Sequence, residues 1–299
     1  MPQFRQIEAF VAIVQSGSFV KAADRLALSK AVVSRLVGEL EAELGTRLLH
    51  RTTRSLSLTG SGAAYYERCR QILEDFAEAN AEASAAAARP AGRLRVNAPL
   101  SFGNLHWAPL WGEFLKLHPE MELDITLTDR VVDLVDEGFD VGVRIGRVQS
   151  ETLVVRRLAG DDMLLCASPG YLRRAPPLTR VADIAQHAVL AYSWSSFGDT
   201  WTFRTPDGAS QSVATHPRLR ANSGDTCRAA ALADQGLILQ PAFIVGHDVR
   251  DGRLVRLLPD HDCGRLDIQA IYPSRRHLSG KVRALVDFLA AAFQTPGWK

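Results

Sequence analysis

The chain has 299 residues, about twice the length of a typical domain, so two or three compact units, each with its own core, are expected. Its formal charge of +2 is too small to imply a nucleic-acid partner by itself. Neither a basic N-terminal segment leading into an apolar run nor about 18 uninterrupted apolar residues occurs, which weighs against secretion and membrane spanning and leaves the cytoplasm as the expected compartment.

Phe4, Ile7, Phe10, Val11 and Val14 recur at helical spacing and stop at Ser16-Gly17, where Ser18 can cap a new helix. That short second helix runs through Ala22, Ala23 and Leu26. Ser29 then offers its side chain to the free N–H groups of a third helix, whose stripe of Val33, Leu36, Val37, Leu40 and Leu44 ends at Gly45. From Arg47 to Leu58, leucines flank a polar Thr52-Thr53-Arg54 tip, the pattern of a small β-hairpin wing. Thr59 can cap a long helix reaching about Ala88, in which Tyr66, Cys69, Leu73, Phe76, Asn80 and Ala83 follow three- and four-residue steps. Near thirty residues at about 1.5 Å each make a rod on the order of 45 Å, too long for one small domain to cover. A self-pairing dimer helix is expected.

Arg89-Pro90-Ala91-Gly92 ends that helix and opens a linker, after which strands alternate with helices. Strands are expected at 94–98, 123–127, 141–145, 163–167, 189–192, 218–221, 238–240 and 266–272. Helices are expected to end near His118-Pro119, around Val132 to Glu137, and over Lys281 to Phe293. The order suits a mostly parallel sheet. The aromatic stretch from Trp194 to Phe203 reads as core or as a cleft border.

Function follows first from the N-terminal segment. Two helices joined by a short turn present the second to the major groove of double-stranded DNA. With its stripe turned inward, that helix points Lys30, Ala31, Ser34 and Arg35 outward, supplying donors for base edges and phosphates and one small apolar contact. Arg51 and Arg54 flank the wing tip, within reach of phosphates or a narrow minor groove. Glu39, Glu41 and Glu43 are placed away from the DNA.

The stretch GSFVKAADRLALSKAVVSRLVGELEAELGTRLLHRTTRSLSLTGSG, Gly17 to Gly62, resembles the DNA-binding signature of the LysR-type transcriptional regulators, and the resemblance spans essentially the whole chain. It implies DNA contacts from Lys30, Ala31, Ser34, Arg35, Arg51 and Arg54. Lys30 stands where that family commonly has glutamine, and Ala31 where proline or serine is common. The resemblance further implies a winged helix-turn-helix over 1–59, a dimerisation helix over 60–90, and a periplasmic-binding-protein-like two-lobe α/β effector domain over 91–299. Its first lobe would comprise 91–162 and 267–299, its second 163–266. A homotetramer built as a dimer of dimers, and RNA polymerase as a further partner, are implied in the same way.

Ligands of such folds sit between the lobes, near strand carboxyl ends and helix N-termini. Ser101, Phe102, Thr128, Arg144, Gly146, Asn222 and Ser223 meet that condition. A small carboxylate held between Ser101 and Asn222-Ser223, with Arg144 adding a charge, is the expected effector, since two helix N-termini would face one cleft. Other readings are weaker. No G-x-S-x-G, H-E-x-x-H, P-loop or G-x-G-x-x-G motif is present, and the 8 histidines lack metal-ligand spacing, so no enzyme, metal or cofactor is expected. The 4 cysteines, Cys69, Cys166, Cys227 and Cys263, form no C-x-x-C pair and read as buried thiols. Cys227, near a helix start, leaves a redox-sensing regulator as the alternative.

Overall fold

The computed structural model describes residues 4–51, 56–83, 90–148, 150, 152–195, 198–274 and 279–298, in two compact units that divide after Ala88. In the first unit, α1 (Phe4–Ser16) buries Phe10 and Ile13. Gly17, at φ +63°, turns the chain, and the Ser18 side chain accepts from the N–H groups of Val20 and Lys21 to start α2 (Phe19–Arg25). Ser29 does the same for α3 (Lys30–Leu44), accepting from Val32 N at 3.3 Å, and Gly45 ends that helix in the left-handed region. Val33, Leu36, Val37 and Leu40 are the buried stripe of α3. They pack with Phe10, Ile13, Leu48 and Leu49 into one small core.

β1 (Leu49–Arg51) and β2 (Leu56–Leu58) pair antiparallel, Leu49 opposite Leu58. The tip between them, with Arg54, lies outside the described residues. Thr59 Oγ1 accepts from Gly62 N at 2.9 Å and starts α4 (Gly60–Ala83). The stripe on α4 is used differently from the expectation. Cys69 is buried, and Tyr66 and Leu73 pack against the core of their own unit, while Phe76 stacks on Phe4 with ring centroids 4.5 Å apart. The four-residue steps put Tyr66, Cys69 and Leu73 on the face that covers the core built on α1. Ile72 and Phe76, each 50% exposed, remain uncovered.

The second unit starts with β3 (Gly92–Ala98), followed by α5 (Leu100–Phe102), a π turn at Gly103–Trp107, a 3-10 turn at Ala108–Leu110 and α6 (Trp111–Leu117). β4 (Met121–Leu127) and β5 (Val141–Ile145) both pair parallel with β3. β6 (Leu153–Ala167) is a long strand, followed by α7 (Pro169–Leu172), β7 (Val189–Tyr192), the hairpin β8 (Thr200–Arg204) with β9 (Ser210–Ala214), β10 (Pro217–Ala221) and α8 (Gly224–Leu232). β11 (Ile238–Pro241), α9 (Ala242–Arg250), β12 (Val255–Arg256), β13 (Arg265–Pro273) and α10 (Gly280–Ala292) close the chain. The main sheet runs β11-β6-β13-β5-β3-β4, with β12 pairing β6. β6 pairs β13 over residues 153–162 and β11 over 163–166, so it carries the chain from one lobe to the other.

Three expectations change here. The sheet is mixed and not mostly parallel, because β13 runs antiparallel to both β5 and β6 and β11 antiparallel to β6. The segment 132–137 forms a single turn and no helix. Asp133 Oδ1 accepts from the N–H groups of Val135 and Asp136, and Gly138, at φ +70°, reverses the chain so that Phe139 N reaches Leu134 O. The aromatic stretch divides between its two readings: Trp201 and Phe203 are core of the second lobe, whereas Trp194 is 47% exposed.

Gly62 carries the tightest approach in the first unit, since a Cβ there would lie 1.9 Å from Leu48 O, a backbone atom that already accepts from Thr59 N. Gly60, two residues earlier, would meet open space. Gly62→Ala is therefore expected to destabilise the unit by about 1–3 kcal/mol or more, and Gly60→Ala to change it by less than about 1 kcal/mol. Thermal unfolding of the two variants checks this, and equal melting points would contradict the close packing of α4 on β1.

Candidate functional site

The outward side of α3 carries Lys30, Ala31 and Arg35 exposed, with Ser34 half-buried beside them. All four stand in the first two turns, ahead of the acidic half of the helix. Arg35 Nη1 donates to Glu39 Oε1 at 2.9 Å, an exposed pair one turn apart on the same helix. Such pairs contribute only about 0.3–0.5 kcal/mol, less than a phosphate or base contact, so the guanidinium is available to a polyanion. Arg51 ends β1, with its side chain outside the described residues.

One positioning residue was not singled out from the sequence. Glu41 Oε1 accepts from the backbone N–H groups of Leu48 and Leu49, at 2.9 and 3.1 Å, and so ties the last turns of α3 to the first strand of the wing. Its local sequence offers no signal, because an exposed-looking glutamate in a charged helix is ordinary until the partner strand is known.

The second unit encloses a cavity of about 1180 Å³ bordered by the ends of β3, β4 and β5, the starts of α5, α8 and α9, and strand β13. Ser101, Phe102, Thr128, Arg144 and Gly146 line it. Asn222 is exposed and Ser223 caps α8 by accepting from Thr226 N, and neither belongs to the lining; Gly224, the next residue, does. A Cβ on Gly224 would press Ile244 Cδ1 at 2.6 Å, with Gln240 Oε1 and Ser101 Oγ just beyond. This position therefore needs the smallest residue.

The helix starts that face the cavity are already engaged by side chains of the chain itself, α5 and α9 by carboxylates and α8 by the Ser223 hydroxyl, while Asp225 takes the Ser101 hydroxyl. Leu100 N donates to Asp129 Oδ1 at 2.8 Å, Ser101 Oγ to Asp225 Oδ2 at 2.7 Å, and Phe243 N to Asp161 Oδ2 at 2.9 Å. Burial raises the Asp161 carboxyl above its usual range, opposed by the Phe243 N–H and by Trp298 Nε1, which donates at 2.9 Å. The Tyr192 phenol is pushed up by burial and by the charge of Asp129.

Arg144 is different. Its Nη1 donates to Asn97 Oδ1 at 2.6 Å and to Val143 O, and its Nη2 lies 3.4 Å from Val132 O. Among the described residues, no carboxylate lies within ion-pair distance of it. Burial depresses its pKa, opposed by the charge of Glu137, which itself pairs with Arg130 at 2.7 Å, so the Arg144 charge is held in a poorly solvated place with no carboxylate in direct contact among the described residues. Arg147, also on the lining, is exposed.

Cys227 is fully buried and its thiol is pushed up to about 11, chiefly by burial, which leaves it protonated near neutrality. Among the described residues no cluster of potential metal ligands and no helix long and apolar enough to cross a membrane is present.

A helical pair with an exposed basic N-terminal recognition face, a wing, and a two-lobed unit around a ligand-sized cavity together define a DNA-binding regulator with a sensor domain. Residues 4–63 match the bacterial regulatory helix-turn-helix family of lysR type, and residues 87–294 match the LysR substrate binding domain. The chain belongs to the LysR family of transcriptional regulators. It is 33% identical over 294 residues to an HTH-type transcriptional repressor of Pseudomonas aeruginosa, covering 98% of this chain and 93% of that one. CrgA, a LysR-type transcriptional regulator from Neisseria meningitidis, superimposes with a TM-score of 0.62 at 31% identity, covering 97% and 98% of the two chains. The full-length Vibrio cholerae virulence activator AphB does so with a TM-score of 0.60 at 26% identity, covering 97% and 99%. Like these relatives it is a regulator and not an enzyme.

Glu41→Ala is expected to leave two strand N–H groups without their acceptor, while the α3 stripe stays packed. Amide exchange at Leu48 and Leu49 should quicken by about tenfold or more, with Val37 unaffected. Unchanged exchange at both leucines would show that the wing is held by other contacts.

Proposed function

We propose that the protein binds operator DNA as a homodimer, or as a tetramer of two such dimers, in the cytoplasm, and that a small anionic effector in the second unit sets its DNA affinity or its productive contact with RNA polymerase. Lys30, Ala31, Ser34 and Arg35 read the major groove, and Arg51 and Arg54 of the wing contact phosphates or the minor groove. The winged unit over 1–59, the linking helix over 60–90 and the effector unit over 91–299 divide these tasks.

The observation that carries the effector reading is Arg144. A half-buried cation whose direct hydrogen-bond acceptors are all neutral, and whose neighbour Glu137 is paired with Arg130, is stabilised by an anion entering the cavity. Thr128, Gly146, Ser101 and Phe102 line the same space. With Asp129, Asp161 and Asp225 on the helix starts, the positive end of the cavity is the Arg144 side and not the region between Ser101 and Asn222-Ser223. A redox reading through Cys227 finds no support in a fully buried, protonated thiol.

Dimerisation is assigned to the uncovered stripe of α4. Ile72 and Phe76 are half-exposed apolar side chains one turn apart on a helix that extends past its own core. Ile72→Asp combined with Phe76→Asp is expected to convert the dimer to monomer in sedimentation velocity, with the thermal unfolding of the winged unit shifted only slightly. An unchanged dimer would place the interface elsewhere.

The DNA reading is tested by comparing two exposed arginines. Arg35→Ala should weaken binding to the operator by about 1–3 kcal/mol, whereas Arg173→Ala, outside the DNA-binding segment, should change it little. Fluorescence-anisotropy titrations at one fixed salt concentration measure both. Equal and negligible losses would overturn this orientation of α3.

A further inference from the structure

Two side-chain amides on the cavity lining each keep one atom without a hydrogen-bond partner among the described residues. Gln240 on β11 is 2% exposed, and its Nε2 is buried without a hydrogen-bond partner. Gln269 on β13 has its Oε1 buried in the same condition. Both residues line the cavity. β11 belongs to the lobe reached by the second half of β6 and β13 pairs with the first half, so the two amides approach the cavity from opposite lobes. An unmet donor and an unmet acceptor on two residues that line one cavity are each costly, and a neutral ligand group brought against them relieves both.

Their place relative to Arg144 narrows the chemistry. Gln269 is the direct cross-strand partner of Arg144 in the β5–β13 pair, so the two side chains leave the sheet side by side on one face. A cation with no carboxylate in direct contact therefore stands next to an acceptor without a donor. The two carboxylates on the lining each already accept from the protein, Asp129 from Leu100 N, and Asp267 from Arg157 Nε at 2.6 Å. A ligand ammonium next to a carboxylate held by Arg144 would sit against the guanidinium, and a hydroxyl would not carry that repulsion.

We propose that the effector is a hydroxycarboxylic acid, its carboxylate on Arg144, its neighbouring hydroxyl donating to Gln269 Oε1, and a further oxygen accepting from Gln240 Nε2. This rests on the reading of the cavity as an anion-binding effector site and names the class of anion. Tyr192, Phe102, Trp194 and Phe243 on the lining leave room for an apolar remainder. Because the two amides come from different lobes, a ligand that satisfies both also draws the lobes together.

Isothermal titration of the full chain with two matched series tests this: propanoate, lactate and alanine, and 3-phenylpropanoate, 3-phenyllactate and phenylalanine. Within a series the members differ only in carrying hydrogen, hydroxyl or ammonium beside the carboxylate. The hydroxy acid is expected to bind about tenfold or more tighter than its unsubstituted partner and than the amino acid. Gln269→Leu should reduce that preference to about twofold or less, and Gln269→Glu should turn it toward the amino acid, with melting curves confirming that both variants fold. Equal affinity for hydroxy and unsubstituted acids, or a preference for the amino acid in the unmodified protein, overturns the hydroxy-acid assignment while keeping the anion site. If no acid of either series binds at tens of millimolar, the anion reading and this inference both fall.

Discussion

Around the effector cavity, backbone N–H groups at the starts of α5 and α9 are satisfied by carboxylates brought from elsewhere in the chain, Asp129 and Asp161, and these contacts hold both helices where they border the cavity. Asp161 is the central case. It lies on β6 next to the point where that strand changes partners between lobes, is fully buried, and receives both the first N–H of α9 that faces it and the indole of Trp298. One carboxylate thereby fixes a strand, a helix and the C-terminal segment against each other. Its cost is desolvation, visible in its raised pKa, and two directed hydrogen bonds offset it. Phe243, whose N–H it holds, is also a wall of the cavity.

The same arrangement decides what the cavity can attract. A helix start with open N–H groups draws anions, and one already holding a carboxylate does not. With Asp129 and Asp225 placed on α5, positive potential in the cavity comes from side-chain cations, of which Arg144 is the most buried without a carboxylate partner. Recognition thus shifts from a helix dipole to a guanidinium whose orientation is set by Asn97 and by backbone carbonyls. A planar group held in this way favours a planar, forked anion.

In the DNA-binding unit the corresponding constraint is the buried stripe of α3. Once Val33, Leu36, Val37 and Leu40 are packed on α1, the positions left to solvent follow from the helical repeat, and Lys30, Ala31 and Arg35 are among them. The acidic residues later in the helix are not idle surface. Glu39 pairs with Arg35, and Glu41 takes the two N–H groups that start the wing, so the recognition helix and the hairpin are joined by a charge-assisted contact.

How much could be read in advance follows from the range of each interaction. The caps at Ser18, Ser29 and Thr59, the stop at Gly45, the stripe of α3, and strands such as 141–145 and 189–192 depend on residues within a few positions of one another, and the sequence by itself determined them. It also determined the family, because the DNA-binding motif is local. Apolar periodicity points to a helix at 132–137, but Asp133 and Gly138 close the segment after one turn, a competition that periodicity does not register. The hairpin of β8 with β9, and the helix α9, were legible only as an aromatic region and an unassigned stretch. What the tertiary structure alone decided is the charge pattern of the cavity. Leu100 meets Asp129, Phe243 meets Asp161 and Ser101 meets Asp225 across separations of 29, 82 and 124 residues. No local spacing encodes such pairs, and only once they are made do Arg144, with no carboxylate in direct contact, and Gln240 Nε2 and Gln269 Oε1, without hydrogen-bond partners, stand out among the residues that line the cavity, because a polar side chain is free or satisfied only relative to what folding brings beside it.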